Sequence, residues 1–280
     1  MTPVSFSLIV FFRFLLLITG SLSFAADLNA GPGTAKDRLH YHSPACSGEI
    51  IPAAVRTNAG DFLQEGEIAV ITRFEVKQGH QHKIRKLIGK YVRQANRMKE
   101  NIMAEAFYEQ DSASILWVIE RWSSRNAFDK SRSGKKYKLL QSLASAKLVQ
   151  SPVSVYVKDL EPLSKEQWRV KAGQDDQPIT IMLFVDSRPG TEKTFQTVYH
   201  TAMPQFRSEP GVINYQLSQL YNDSTQFVTY EKFRNEAAFQ YHLQFPPIQP
   251  VIDYLNTSIR KQPFQLGLHR LVEFAPAKRK

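Results

Sequence analysis

A glutamate and a histidine in the last quarter of the chain have the residue types of an acid–base pair. Glu231 ends a strand-like run that begins at Phe227, and His242 follows on the next predicted helix, just before Pro246. Histidine suits a general base because its ordinary pKa lies near working pH. A strand-end glutamate can orient such a base, but it can also bond a backbone N–H or pair with a basic side chain.

An internal repeat gives these two residues their context. The numbers of Glu231 and Glu120 differ by 231 − 120 = 111, a difference that we call the repeat offset, and Ser131 stands where this offset would place the match of His242. Two further pairs share the offset: Gly190 with Gly79, and Pro263 with Pro152. Constant spacing indicates two copies of one structural unit. Because only the glutamate recurs, we interpret Glu231 as chiefly structural and His242 as the residue free to serve a site.

Each copy has the pattern β-α-β-β-α-β, shown here for the first. Residues 66–76 are rich in β-branched side chains and predict a strand. An amphipathic helical segment follows, and then a hairpin that turns near Asp111. Ser123 or Ser124 can cap the second helix, and residues 152–160 form the last strand. This order is the split βαβ of ferredoxin-like folds, in which one face of an antiparallel sheet carries both helices.

Both helices of each copy cover the same face of its predicted sheet, so the other face has no helix packed on it. We therefore expect an α+β fold in which the copies pack sheet to sheet as an internal pseudo-dimer. Strand residues predicted on that inner face are Trp117, Ile119, Phe227 and Thr229. The predicted boundaries are 66–163 and 177–275 for the repeats, 164–176 for a connector and 276–280 for a basic tail.

The N-terminal segment has the pattern of an export signal. Leu8 to Ile18 is apolar apart from Arg13, and small residues follow up to Ala26. We expect residues 1–26 to be a signal peptide that is removed, which leaves no stable membrane anchor and a periplasmic or secreted bacterial protein. Removing Arg13 changes the formal net charge of +10 to 10 − 1 = +9.

Residues 27–65 contain glycine and proline without periodicity, which indicates a linker or an N-terminal arm. His40, His42 and Cys46 there could offer soft-metal ligands, but three residues on such a segment do not establish a metal site. The basic residues are dispersed and no nucleic-acid motif occurs, so we expect no nucleic-acid partner. The sequence leaves further homo-oligomerisation open.

The second copy resembles the antibiotic biosynthesis monooxygenase family. The family pattern, an E-P-G turn followed by a strand and a helix, matches Glu209, Pro210, Gly211, Tyr230, Glu231, Phe233, Ala238 and His242. The first copy keeps Glu120, Trp122 and Ala127 but has Lys99 and Glu100 in place of the Pro-Gly turn. The resemblance implies a dimeric α+β barrel. It also implies either quinol oxidation by O2 without metal or flavin, or heme degradation, for which His242 or His200 would be the axial ligand.

Cofactor-independent oxidation of an aromatic substrate needs a base, an apolar pocket and orienting hydrogen bonds. We predict His242 as the base and Glu231 as the group that orients it or a substrate hydroxyl. Predicted substrate-binding residues are the hydrogen-bonding Tyr230, Asn214 and Tyr215 and the ring walls Phe227 and Trp117. All of these side chains would also suit a plain core. A non-catalytic small-molecule or heme-binding module and an envelope interaction protein are therefore the alternatives.

Overall fold

The computed structural model describes residues 66–170 and 172–276. The strands are β1 Ile68–Glu75, β2 Asn101–Glu109, β3 Ile115–Trp122, β4 Val153–Asp159, β5 Ile179–Asp186, β6 Val212–Leu220, β7 Asp223–Phe233 and β8 Leu268–Ala275. The helices are α1 Gln81–Ala95, α2 Arg125–Ser133, α3 Lys135–Ala144, α4 Lys165–Trp168, α5 Glu192–Ser208, α6 Glu236–Gln244 and α7 Gln249–Thr257. Two short 3₁₀ turns precede α7 and β8, at Pro246–Ile248 and Phe264–Gly267.

The repeat predicted from sequence is confirmed element by element. Both ends of β1 and β5, of β2 and β6, and of α2 and α6 are related by the repeat offset. Isolated bridges join Val76 to Leu148 and Ser187 to Ile259, and the same offset relates these two bridges. The last strands break the rule, because the Phe264–Gly267 turn shifts β8 along the chain. The constant offset therefore holds structurally from β1 to the end of the second helix pair.

The eight described strands form one closed antiparallel barrel in the order β1-β3-β2-β8-β5-β7-β6-β4, with β4 returning to β1. The last strand of each repeat crosses to the other: Val157 of β4 pairs with Leu220 of β6, and Val272 of β8 pairs with Tyr108 of β2. Closure leaves none of these strands as an unpaired edge. The prediction of an α+β fold built as an internal dimeric barrel is confirmed.

Three apolar cores fill the described part of the molecule. Each repeat has a core between its helices and the outer face of its sheet, and a third core lies between the sheets. Phe195 and Phe227 belong to the helix-side core of the second repeat, whereas Trp117 and Ile119 belong to the core inside the barrel. The predicted site residues therefore lie on two different faces of the sheet.

The prediction that Phe227 and Thr229 point into the barrel was wrong. The repeat offset matches Phe227 with Leu116, not with Trp117, and successive strand side chains point to opposite faces. Thr229 likewise lies on the helix side, where its hydroxyl donates to Glu231. Trp117 and Ile119 lie inside the barrel as predicted.

The connector contributes to the barrel rather than only joining its halves. Ser164 caps α4 with a capping box, and Trp168 at its end is buried in the inner core. The guanidinium carbon of Arg121 lies 3.9 Å from the centre of the Trp168 ring. Arg169 donates to the carbonyls of Ile102 and Asn101, so the connector ties the end of the first repeat to β2.

Several predictions lie outside the described residues. These are the signal at 1–26, the arm at 27–65 with His40, His42 and Cys46, and most of the basic tail. Within residues 66–170 and 172–276, none of the helices combines the length and apolar character needed to span a bilayer. Ser124, not Ser123, caps the second helix of the first repeat and accepts from the Ala127 amide.

Candidate functional site

His242 lies in the last turn of α6, on the helix side of the second sheet, and only 1% of it is exposed. The helix begins at its N-cap, Asn235, whose side chain accepts from the Ala238 amide. Phe239, one turn before His242, packs with it against the sheet. The exposed N-cap at Asn235 and the buried face of α6 at Phe239 together fix the position of the imidazole, which lies against Phe206 of α5.

A carboxylate missed as a site residue orients the imidazole. Oε1 of Glu209, the residue directly after α5, lies 2.7 Å from Nδ1 of His242, and both side chains are 1% exposed. A carboxylate only accepts hydrogen bonds, so Nδ1 carries the ring proton and Nε2 of the neutral ring keeps its lone pair. Nε2 of His242 and Oε2 of Glu209 are both buried, and neither has a hydrogen-bond partner among the described residues. The geometry is therefore that of an oriented base.

Both residues that flank Pro210 in the E-P-G turn help to position His242. Glu209 supplies the carboxylate, and Gly211 permits the close approach of α6. A Cβ added at Gly211 would overlap the Cβ of Ala238, far inside van der Waals contact. Because Ala238 lies one turn before His242, any larger residue at position 211 would push the helix that carries the base.

Aromatic rings enclose the imidazole. The ring centroids of Phe206, Phe233 and Tyr215 lie 4.8, 5.2 and 5.3 Å from that of His242. These rings come from α5, β7 and β6, so three elements exclude water from the histidine. An apolar enclosure strengthens each electrostatic interaction inside it.

Glu231 lies near His242 but does not orient it, which corrects that prediction. Its Oε1 accepts from the Thr229 hydroxyl at 2.8 Å, and it is also hydrogen-bonded to Tyr215, whose hydroxyl contacts that of Tyr199. Burial raises the pKa of Glu231, and the neighbouring His242 opposes that rise only in part. Burial and the Glu231 charge together raise the pKa of Tyr215, which stays a phenol. The site thus holds two carboxylates, one imidazole and hydroxyl donors.

In the first repeat, Glu120 occupies the position that matches Glu231, and it forms a salt bridge. Glu120 accepts from Arg132 Nη2 and from the Tyr91 hydroxyl, both at 2.6 Å. Burial, the largest single effect, lowers the pKa of Arg132, but Glu120, Tyr91 and Tyr137 together outweigh burial and raise it. Ser131 lies beside them and donates to Tyr91 at 3.3 Å. A permanent cation replaces the titratable histidine here, while the second repeat has Leu243 where Arg132 stands.

The predicted site residues divide between the two faces of the sheet. The structure brings Glu231 and Tyr215 to His242, and it places Phe227 in the same helix-side core, against Phe195 at 4.9 Å. Three others lie inside the barrel, away from the imidazole. The Tyr230 hydroxyl donates to Glu105, Asn214 donates to the Gln167 carbonyl, and Trp117 donates to Glu109. Grouping these three with His242 in one pocket was wrong, because they are on the opposite side of the strands.

The second histidine considered for heme does not meet the requirement of an apolar pocket. The His200 side chain is 79% exposed on α5 and lies 3.0 Å from Glu161. Among the residues that the structure describes, no group of three or more His, Cys, Asp or Glu side chains is arranged to hold a metal ion. The Glu209–His242 pair remains as the candidate site of this repeat.

Solved structures of similar shape share the barrel. A Fusobacterium nucleatum protein matches with a TM-score of 0.62 and 14% identity, over 76% of this chain and 94% of its own. A Lactobacillus acidophilus protein matches with a TM-score of 0.62 and 13% identity, over 76% and 97%. Both carry provisional names as monooxygenases. An anthrone oxidase-like protein matches with a TM-score of 0.52 and 10% identity, over 77% and 95%. At these identities the likeness shows the fold alone.

Sequence comparison adds a relative and a family. An uncharacterized protein of Synechocystis sp. is 26% identical over 98 residues, which are 35% of this chain and 66% of the relative's length. The model of the family described as antibiotic biosynthesis monooxygenase matches residues 67–142 and 178–252. The two matches span more than half of the chain, one in each half of the barrel. The chain therefore belongs to the antibiotic biosynthesis monooxygenase family and carries two of its domains in tandem.

Proposed function

We propose that the second repeat is the catalytic half of a monooxygenase that oxidises a quinol-like or polyphenolic aromatic with O2, without a metal or flavin. The observation that carries the proposal is the buried His242, oriented through Nδ1 by Glu209, with an Nε2 that no described residue engages. Family membership supports monooxygenation, and the anthrone oxidase-like protein of similar fold supports the substrate class.

The proposed reaction starts with a proton transfer. Nε2 of His242 takes the proton of a phenol or enol hydroxyl, and Glu209 stabilises the imidazolium through Nδ1. The resulting electron-rich anion reduces O2. One oxygen atom becomes a carbonyl oxygen on a ring carbon that gives up its single hydrogen. The other leaves as water with that hydrogen and the hydroxyl proton. The substrate supplies all four electrons, so no external reductant enters.

Enclosure of His242 sets a condition on substrate entry. Because the residue is 1% exposed, α6 and the Pro246–Ile248 turn must move to admit an aromatic ring. Displaced rings of Phe206, Phe233 and Tyr215 would then form the pocket wall. Closure after entry keeps water from the anion, as lid movements do in many enzymes.

The competing function is a small-molecule binding module without catalysis. The same complete burial of His242 favours it, because a histidine in a closed aromatic cage is also suited to holding α6 in place. The two functions differ in whether O2 is consumed.

O2 uptake with a panel of quinols and anthrone-like phenols tests the proposal. His242→Ala is expected to lower the rate about 10²- to 10⁴-fold, the usual contribution of a general base. Ser131→Ala, the matched change in the first repeat, is expected to leave the rate within about twofold, because it removes no base. An unchanged rate in His242→Ala would remove this residue from the mechanism. Absence of uptake with every substrate would favour the binding module.

Export is a separate proposal that rests on residues 1–26. We infer cleavage after Ala25 or Ala26. N-terminal sequencing of protein recovered from the periplasm or medium is expected to begin at Ala26 or Asp27. Recovery of the full-length chain from the cytoplasm alone would refute it.

A further inference from the structure

A cavity of about 350 Å³ opens on the helix side of the first repeat, away from the His242 site. It lies between α3 and the neighbouring ends of β1 and β4. Its inner wall is formed by the buried apolar side chains of Phe74, Leu140, Ala144 and Leu148. Its rim is formed by exposed residues, most of them polar: Gln141, Ser145, Gln150, Ser151 and Pro152. Tyr137 and Ser154 add two hydroxyl groups. A mostly apolar cavity with a few placed polar groups, in the range of roughly 300–1,000 Å³, is the usual form of a small-molecule site.

The cavity follows from residues that differ between the repeats. The paired bridges Val76–Leu148 and Ser187–Ile259 show that the repeat offset still holds here. Ala144 therefore corresponds to Leu255, a much larger side chain that is 2% exposed in the second core. A leucine at position 144 would extend three further carbon atoms into the cavity.

Strand pairing reveals a second difference. Thr72 pairs with Ser154 on β1 and β4, and the corresponding pair on β5 and β8 is Leu183 with Leu268. The first repeat thus has two hydroxyl side chains, 2.9 Å apart between Oγ1 and Oγ, where the second has two leucines. Small and polar residues at these positions are specific to the repeat that lacks the histidine.

A chain of contacts links the cavity wall to the buried ion pair of this repeat. Ser154 contacts Thr72, Thr72 accepts from Arg132 at 3.2 Å, and Arg132 donates to Glu120. The Arg132 guanidinium carbon also lies 4.3 Å from the centre of the Tyr137 ring. The charge behind the wall is neutralised by Glu120, so the polar groups presented to a ligand are neutral. They are hydroxyls, which both donate and accept, and the side-chain amides of Gln141 and Gln150. Such a wall suits a neutral molecule with hydroxyl or carbonyl groups.

We propose that the first repeat is a second, non-catalytic site, in which this cavity binds a compact neutral ring compound that bears a hydroxyl or carbonyl group. Its hydrocarbon part packs on Phe74, Leu140, Ala144 and Leu148, and its oxygen bonds Ser154 or Tyr137. The repeat has Ser131 where the other has its imidazole, so the compound is bound and not deprotonated. This site does not require that the second repeat be an enzyme.

Titration of the whole chain with 2-naphthol, a neutral fluorescent phenol, tests the proposal. Ala144→Leu, which introduces the residue of the other repeat, is expected to weaken saturable binding at least about tenfold, or 1.4 kcal/mol. Ala146→Leu adds the same side chain at an exposed position outside the cavity and is expected to bind like wild type. Thermal unfolding of each variant establishes that it is folded.

Further variants separate the outcomes. Ser154→Ala removes the hydroxyl without adding bulk, and it is expected to weaken binding even if Ala144→Leu does not fold. His242→Ala is expected to leave in place the saturable binding that Ala144→Leu weakens, whatever it does to O2 uptake or to phenol binding in the second repeat. The proposal is overturned if wild type shows no saturable binding or if Ala144→Leu binds normally. It is also overturned if Ala144→Leu is unfolded and Ser154→Ala binds normally, or if His242→Ala abolishes all saturable binding.

Discussion

The imidazole of His242 can act as a base only in one tautomer, and Glu209 selects it. Glu209→Gln keeps the shape of the side chain but allows its amide to donate to Nδ1, which would place the ring proton on Nε2. We expect O2 uptake to fall about 10²-fold or more, because a wrong tautomer disables a base without moving it. Measured rates in the single and double variants check this. In a His242→Ala background, Glu209→Gln should change the rate little, and a full additional loss would contradict the tautomer role.

The two matched glutamates should respond to neutralisation with opposite signs. Folding raises the pKa of Glu231. The contribution of Glu231 to stability is therefore fully present below its unfolded pKa of about 4.3 and is lost as pH rises through the folded pKa. Glu231→Gln should raise the melting temperature at pH 8 by about 2–4 °C, equivalent to about 1 kcal/mol. The gain should vanish near pH 4. A loss of stability at pH 8 would contradict the prediction.

Glu120→Gln is the control within the same molecule. It would leave the Arg132 guanidinium, whose side chain is 12% exposed, without its counterion. Removing one partner of a buried ion pair costs about 3–5 kcal/mol. Unfolding in denaturant at pH 7 is expected to show that loss for Glu120→Gln and none for Glu231→Gln.

The sequence alone predicted His242 as the residue free to serve a site, and it predicted a structural role for Glu231 because a glutamate recurs at position 120. Glu209 was visible as part of a motif, but a turn signal says nothing about which side chain reaches the imidazole of a later helix. Placing Trp117 and Phe227 on one face was wrong, and the residue number of Trp117 gave a usable signal against it. This number differs from that of Phe227 by 227 − 117 = 110, one less than the repeat offset, so the two residues cannot share a face. Arg132 carried no such signal, because its contact with Glu120 depends on the packing of α2 against β3.

At the scale of elements, the N-caps of α2 and α6 form a matched pair. Ser124 accepts from the Ala127 amide, and Asn235, its counterpart by the repeat offset, accepts from the Ala238 amide. Replacing either cap with alanine should cost about 1 kcal/mol of unfolding free energy. Only Asn235→Ala loosens the helix that carries His242, so only this variant should also slow O2 uptake, by several-fold. Equal rates in the two variants would show that α6 is positioned by packing alone.

The contact between α6 and the E-P-G turn gives a second and more direct test of how α6 is positioned. Gly211→Ala places a methyl group where the Ala238 Cβ already lies, so α6 must shift. Overpacking of this kind costs about 1–3 kcal/mol. We expect a lower melting temperature and a drop in O2 uptake larger than that of Asn235→Ala. Gly211→Ala combined with Ala238→Gly should recover part of both, and failure to recover either would exclude this contact as the cause.

At the scale of the whole molecule, buried charges join the repeats. Nζ of Lys232 on β7 lies 2.9 Å from Glu105 on β2 of the other repeat and 3.0 Å from Glu273 on β8. Burial alone would lower the pKa of Lys232, but the two carboxylates outweigh burial and raise it. Together with the strands that cross at both seams, this network makes each repeat part of the other's core.

We therefore expect the barrel to unfold as one unit, and Lys232→Met to weaken all of it. The variant removes the cation between the buried Glu105 and the partly buried Glu273, and it should cost about 3–5 kcal/mol. Calorimetry of wild type should show one transition whose calorimetric and van't Hoff enthalpies agree, and the variant should show the same single transition at lower temperature. Lys232→Met with Glu105→Gln should recover part of the loss, whereas His200→Ala, on the exposed face of α5, should change stability by less than about 0.5 kcal/mol. Two resolved transitions in the variant would mean that the repeats are separable domains, despite the closed sheet that they share.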